Sequence, residues 1–299
     1  MPWKHWSDER LGVALAVLAA FGFSFKAIFV KLAYAIAPVD AVTLLALRMA
    51  FALPAFLWVG LVASRSAPAL AVRDWGALVV LGLLGYYASS MLDFLGLQYI
   101  SAGLERLILF TYPTLTVLIG VCFLGRALER RQIGALVLSY AGIGLAFAHD
   151  LHVAGDPYSV LLGAGFVFGS ALTYAFYSAG AESVIRSLGS SRFAALAMLV
   201  STTATLGHFF ATQPLSALWQ PWPVYLYGAG MAVFSTVLPV FWQSAAIRRI
   251  GAARAVLIGT LGPVLTIVFG WTLLGEPMSL AQIAGAGLVL AGVWWVSRR

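Results

Sequence analysis

From Leu11 to the carboxyl-terminal arginines, the chain alternates long apolar runs with breaks of only a few polar residues. Each run is roughly 20 residues, the length that crosses ~30 Å of hydrocarbon as a helix rising ~1.5 Å per residue. Polar breaks and Pro/Gly punctuation predict ten spans. Five lie near 11–34, 40–63, 74–97, 102–124 and 132–148, and five near 158–181, 192–211, 222–246, 252–273 and 279–296. The fold class expected is all-α: a polytopic membrane protein of ten transmembrane helices with no room for a soluble domain. The first run lacks a small-residue cleavage site and is expected to be a retained span. With a cytoplasmic amino terminus, Lys4, Arg10, Arg65, Arg73, Arg126, Arg130, Arg131, Arg186, Arg192, Arg248, Arg249 and Arg254 all fall on the inner side. Lys and Arg resist translocation, so this asymmetry predicts that both termini are cytoplasmic.

Composition strengthens this reading. The 299 residues are 62% hydrophobic and 10% charged, with a mean hydropathy of +0.94, values that exclude a water-soluble domain of this size. In a soluble protein the net charge of +7 would suggest nucleic acid; here the basic residues are spread over short loops, so topology accounts for them and no nucleic-acid partner is expected. The single Cys122 excludes a disulfide within one chain.

The chain also repeats itself. The segment from Ile100, ISAGLERLILFTYPTLTVLIGVCFLGR, aligns without gaps to that from Ile250, IGAARAVLIGTLGPVLTIVFGWTLLGE. Pro113 pairs with Pro263, Thr116 with Thr266, Gly120 with Gly270, Gln132 with Gln282 and Gly142 with Gly292, and roughly a third of the aligned positions are identical. The predicted organisation is a first five-helix repeat (1–148), an external connecting loop (149–157) and a second repeat (158–299). Five is an odd number, so the two copies are expected to be inverted, as in alternating-access carriers with a midplane substrate site.

These repeats, with Pro-x-x-Thr at Pro263 and Thr266, Leu-Gly-Glu-Pro at Leu274 to Pro277 and a Gln-Ile opening to the final helix, resemble the EamA-type ten-helix branch of the drug/metabolite transporter superfamily. Within it the chain looks most like the aromatic amino-acid exporter group. Arg126 stands where the second half has Glu276, a departure from the motif. The resemblance covers essentially the whole chain. It implies export of amino acids over a broad range that includes aromatic ones, or of other metabolites, across the inner membrane of a bacterium.

Ionisable residues inside spans cost several kcal/mol unless paired or water-lined, so each is a candidate for function. Lys26 lies roughly 12 Å inside the outer end of the first span, flanked by Phe25 and Phe29. Arg48 and Asp93 fall at a similar depth, and pairing of Asp93 with Lys26 or Arg48 is expected to lower the desolvation cost of both. Glu105 and Arg106 open the fourth span and are expected near the outer interface in a structural role. A cavity lysine suits a carboxylate or phosphate. On the third span Tyr86, Ser89, Ser90 and Asp93 recur at spacings of three and four, predicting one polar stripe. Ser170, Thr173, Tyr174, Tyr177 and Ser178 form its counterpart on the sixth span, and Ser235, Pro239, Trp242 and Gln243 on the eighth. The residues expected to bind substrate are therefore Lys26, Arg48, Tyr86, Ser90, Asp93, Tyr174, Tyr177, Trp242 and Gln243.

Pro54, Pro113, Pro239 and Pro263 fall within spans, and the matched pair Pro113 and Pro263 are the candidate hinges. Gly165 and Gly169 form a GxxxG expected to pack helices closely, as are Ala281, Gly285 and Gly292 on the last span. His149, Asp150, His152 and Asp156 cluster in the connecting loop without a ligand spacing, so no metal is expected. No nucleotide-binding or catalytic motif occurs, so no cofactor is expected and the chain is read as a non-enzyme. Export of other small metabolites or of drugs is the alternative, and an intramembrane lipid-handling enzyme the reading from another class. The expected partners are a small-molecule substrate and the lipid bilayer, with the protein a monomer or weak homodimer.

Overall fold

The computed structural model describes residues 3–65, 67–124, 130–153, 156–250, 255, 258–259 and 261–297. Among them all regular structure is helical. In chain order the helices are α1 (Trp3–Ile36), α2 (Ala41–Ser64), α3 (Val72–Gly82), α4 (Ser89–Gly96), α5 (Ala102–Leu109), α6 (Tyr112–Leu124), α7 (Arg130–Val153), α8 (Pro157–Leu188), α9 (Ser190–Thr212), α10 (Trp222–Ala232), α11 (Leu238–Ile250), α12 (Leu261–Leu274) and α13 (Leu280–Ser297). Seven helical stretches are long and apolar enough to cross a membrane, and Leu261–Leu274 and Leu280–Gly292 are shorter apolar helices.

Local chemistry explains the boundaries. Asp40 caps α2 by accepting the Thr43 N–H at 2.9 Å, Ser101 caps α5 through the Leu104 N–H, and Asp156 caps α8 just before Pro157, whose missing N–H costs nothing in a first turn. Gly189, at a φ of 82°, lets α8 give way directly to α9. The predicted span 102–124 is divided at Phe110 and Thr111. Pro113 therefore sits at the second position of α6, where no intrahelical donor is needed. Most of the predicted start of the 252–273 span lies outside the described residues.

Two interruptions have no counterpart in the predicted spans. α3 passes into α4 through a π turn, Leu83–Ala88, and α10 into α11 through another, Val233–Val237. In each a wide i→i−5 bond replaces the α rung: Ser89 N–H to Leu84 O, and Leu238 N–H to Val233 O. The turns begin 150 residues apart, the same interval as Pro113 and Pro263. Pro239, lacking an N–H, favours the second turn. Ser89 holds the matching position in the first, where proline chemistry gives no cause.

The helices approach one another through glycine. A Cβ on Gly22 of α1 would lie 2.5 Å from Phe234 O, and one on Gly85 2.3 Å from the Tyr177 ring. α7 and α13 cross where Gly142 and Gly285 face each other, each leaving room for the other's carbonyl. The expected GxxxG contact on α8 is corrected: a Cβ on Gly165 would meet open space, and one on Gly169 only Leu92. The close crossing with α4 runs instead through Gly163 and Gly96, because Gly165 lies two residues, about 200°, around the helix from Gly163. Trp58, Leu61, Phe123, Leu161 and Phe210 point outward, as a lipid-facing surface requires, and Trp219, Trp222 and Tyr158 stand exposed at helix ends where indole and phenol rings favour the interface.

Candidate functional site

Five charged side chains from α1, α2, α4 and α5 meet inside the bundle. Lys26 Nζ lies 2.8 Å from Asp93 Oδ2 and 3.6 Å from Glu105 Oε1, so one ammonium serves two carboxylates. Asp93 and Glu105 are 1% and 0% exposed, whereas Lys26 retains 17%. The lysine is thus the accessible member of the cluster. The Lys26–Asp93 pair matches the shared depth deduced from sequence, and charges withdrawn from water this far require such a partner.

Arg48 does not take Asp93 as a direct partner. Its Nη2 donates to Ser90 Oγ at 3.0 Å and its Cζ lies 5.1 Å from the centre of the Phe94 ring, while its Nε has no acceptor. No oxygen of Asp93 or Glu105 receives a well-directed hydrogen bond from the protein either. Buried polar atoms are normally satisfied, so this concentration of incomplete donors and acceptors at one level is unusual.

Glu105 and Arg106 correct the sequence expectation. Both are buried, not interfacial: Arg106 Nη2 donates to Phe23 O at 2.5 Å, its Nε to Thr266 Oγ1 at 3.2 Å, and its guanidinium stands 3.9 Å from Glu105. The position early in a span suggested snorkelling, but α1 and α12 cover this end of α5, and remote covering elements leave no mark on the local pattern. The only local signal was Thr266, in the Pro-x-x-Thr motif. Ser24 completes the junction by bonding to Gly262 O.

The polar stripe on the third span divides. Tyr86 shares a hydrogen bond with Tyr177 at 2.8 Å and Ser89 meets Ser170 at 3.0 Å, both facing α8. Ser90 and Asp93 turn to α2 and α1. Consecutive residues diverge by about 100° on a helix, so Ser89 and Ser90 cannot serve one face. Tyr174 packs between Tyr112 and Tyr177, with ring centroids 4.9 and 5.2 Å away, so with Tyr86 the tyrosines join the π turn after α3 to α6 and α8 as an aromatic group. Trp242 and Gln243 are half-buried on α11, and among the described residues no hydrogen bond or ion pair joins them to the charged cluster.

A second polar group stands at the end of the bundle that carries the α4–α5 connection. Both Glu276 carboxylate oxygens lie 3.0 Å from Ala102 N at the start of α5. Lys31 Nζ donates to Ile100 O at 2.9 Å and stands 4.0 Å from Glu276. Asp150 accepts from Gln282 Nε2 at 3.1 Å and from Ser101 Oγ at 3.3 Å. The predicted connecting loop 149–157 is corrected at its start, where α7 continues to Val153: Asp150 lies in α7 and holds a neighbouring helix, while Asp156 caps α8. Glu276 and Gln282 belong to the repeat motif, but nothing local in the sequence marks the bond of Glu276 to the start of α5 or that of Gln282 to Asp150 of α7.

The family profile described as the EamA-like transporter family matches this chain twice, over residues 10–148 and 161–298. The transporter YcbK of Bacillus subtilis (strain 168), itself uncharacterized, is 29% identical over 300 residues, covering 97% of this chain and 92% of its own. A probable amino-acid metabolite efflux pump of Salmonella typhimurium (strain LT2) is 24% identical, covering 94% and 92%. A probable terminal-alkyne amino-acid exporter of Streptantibioticus cattleyicolor is 27% identical, covering 76% and 74%. One crystal structure shares the fold at a TM-score of 0.68 and 16% identity, covering 95% of this chain and 96% of its own. Twofold matching over nearly the whole length, in an all-helical chain rich in apolar spans, means that the protein belongs to the EamA-like transporter family and is a membrane transporter, not an enzyme.

Proposed function

We propose that this transporter exports amino acids and related carboxylate-bearing metabolites across the bacterial inner membrane by alternating access between two inverted five-helix halves, 1–148 and 158–299. The twofold family match and the paired π turns, each 150 residues or so apart, support two equivalent halves. The names of the Salmonella and Streptantibioticus relatives support the substrate class. In this reading both termini are cytoplasmic, Pro113 and Pro263 flank the bends that exchange the gates, and Lys26, Arg48, Ser90 and Asp93 line the solute path with Tyr86, Tyr174 and Tyr177 beside it.

One observation carries the proposal: a buried cluster of three cations and two carboxylates whose accessible member is a lysine. That excess favours a solute bearing a negative group and disfavours a lipophilic drug cation. In proteoliposomes, Lys26→Ala is expected to lower transport of carboxylate-bearing solutes about tenfold or more, the worth of one charged hydrogen bond in a buried site. Equal transport by the variant and the parent, with matching elution profiles and thermal midpoints, rejects the role given to Lys26.

A further inference from the structure

The cluster contains more than an accessible cation. At one level it holds a donor without an acceptor, Arg48 Nε, and carboxylate oxygens of Asp93 and Glu105 that are ion-paired but receive no directed hydrogen bond, all buried. Lys26 bridges the two carboxylates, but its three N–H donors cannot serve four carboxylate oxygens. Ser90 holds Arg48 by a single Nη2 bond. Arg106 is fixed elsewhere, on Phe23 O and Thr266. The groups left incomplete are thus two kinds at once: cations able to take a carboxylate, and carboxylates able to take an ammonium.

Building on the carrier reading above, we infer that this cluster binds the zwitterionic head of an α-amino acid by exchange of counter-ions. The solute carboxylate takes Lys26 and the open edge of Arg48, and the solute ammonium takes the carboxylates of Asp93 and Glu105 that Lys26 has released. Lys26, Asp93 and Glu105 each keep an opposite partner during the exchange, and Arg48 gains one. The solute brings both signs and no net charge, so each of its desolvated groups meets an opposite charge that offsets its lost hydration. A simple carboxylic acid would strip Asp93 and Glu105 of their lysine and supply nothing in return. A simple amine would compete with Lys26 for the carboxylates and leave that lysine without a partner. The same balance makes Glu105, to which the sequence assigns only a structural role, a specificity determinant.

The test compares three solutes in proteoliposomes. The proteinogenic L-amino acids are first presented as a mixture and read by mass spectrometry. The best-transported member is then measured against its desamino and decarboxy analogues, with the parent protein and with Glu105→Gln. The expected result is that the amino acid outpaces both analogues about tenfold or more, and that the ratio of amino-acid to desamino-analogue transport falls by a similar factor in the variant. A ratio within one protein sample is insensitive to a loss of folded carrier, and the second variant Asp93→Asn is expected to shift it in the same direction. A desamino analogue carried as well as the amino acid, or a ratio unchanged by Glu105→Gln, overturns the zwitterion site and leaves a carboxylate carrier standing. If folded protein moves no member of the mixture and no analogue, both readings fall together.

Discussion

Replacing Glu276 by Gln removes the negative charge held at the amino-terminal end of α5 while keeping an acceptor of nearly the same shape. In the parent protein both carboxylate oxygens lie 3.0 Å from Ala102 N, one of the donors that a helix start leaves without an intrahelical acceptor. A charge at a partly buried helix amino terminus contributes up to ~2 kcal/mol, and charge-assisted hydrogen bonds are roughly twice as strong as neutral ones. The Lys31 contact, at 4.0 Å and between groups 26% and 17% exposed, adds at most about 1 kcal/mol. Gln keeps the neutral part of the bond, so the expected loss is about 1.4 kcal/mol, a factor of ten in the opening equilibrium of this end of α5. Hydrogen–deuterium exchange of the 102–109 peptide, in nanodiscs, reads that factor directly. Exchange in that peptide should quicken about tenfold while α2, which holds neither Ala102 nor Lys31, the bonding partners of Glu276, serves as the internal reference. Unchanged exchange at 102–109 in folded protein refutes the clamp.

Two further expectations concern the fold. Gly85→Ala places a methyl 2.3 Å from the ring of Tyr177, which Tyr174 and Phe193 hold in place, so a loss of about 1–3 kcal/mol is expected as a lower thermal midpoint. The loss should shrink in a Tyr177→Ala background, and an equal loss in both rejects the steric account. At the start of α8 the Ser159 hydroxyl, followed by the Tyr158 and Ser159 backbone N–H groups, holds the Asp156 carboxyl below its usual range. A depressed folded value means that this contribution is present above the ordinary aspartate pKa of about 4 and is lost as pH falls through the lower folded value. Ser159→Ala should therefore move the Asp156 titration, followed by NMR, upward; an unmoved titration removes the hydroxyl as its cause.

The sequence was most informative where the membrane itself dictates pattern. The run predicted at 40–63 is the helix 41–64, because a single-pass apolar stretch has one stable fate in hydrocarbon. Depth alone offers Asp93 two partners, Lys26 or Arg48, and of these the structure takes Lys26. Depth failed for Glu105 and Arg106, whose burial depends on α1 and α12, distant in sequence. Spacing failed for the Tyr86 to Asp93 stripe, because three helices compete for its faces and periodicity does not say which neighbour arrives where. The division at Phe110 and Thr111 was half legible: Pro113 marked the place, but the same residue type at Pro54 leaves α2 continuous.

The π turns give the α3–α4 and α10–α11 segments an unusual tolerance. A π turn contains one residue more than the α-helical path needs, so the flanking segments are out of phase by about 100° relative to an unbroken helix. Losing one residue between 83 and 88 would restore α geometry while α3 and α4, the latter with Ser90 and Asp93, both kept their faces. Single-residue insertions and deletions, ordinarily ruinous in a packed membrane helix, have at these two places a joint that can absorb them.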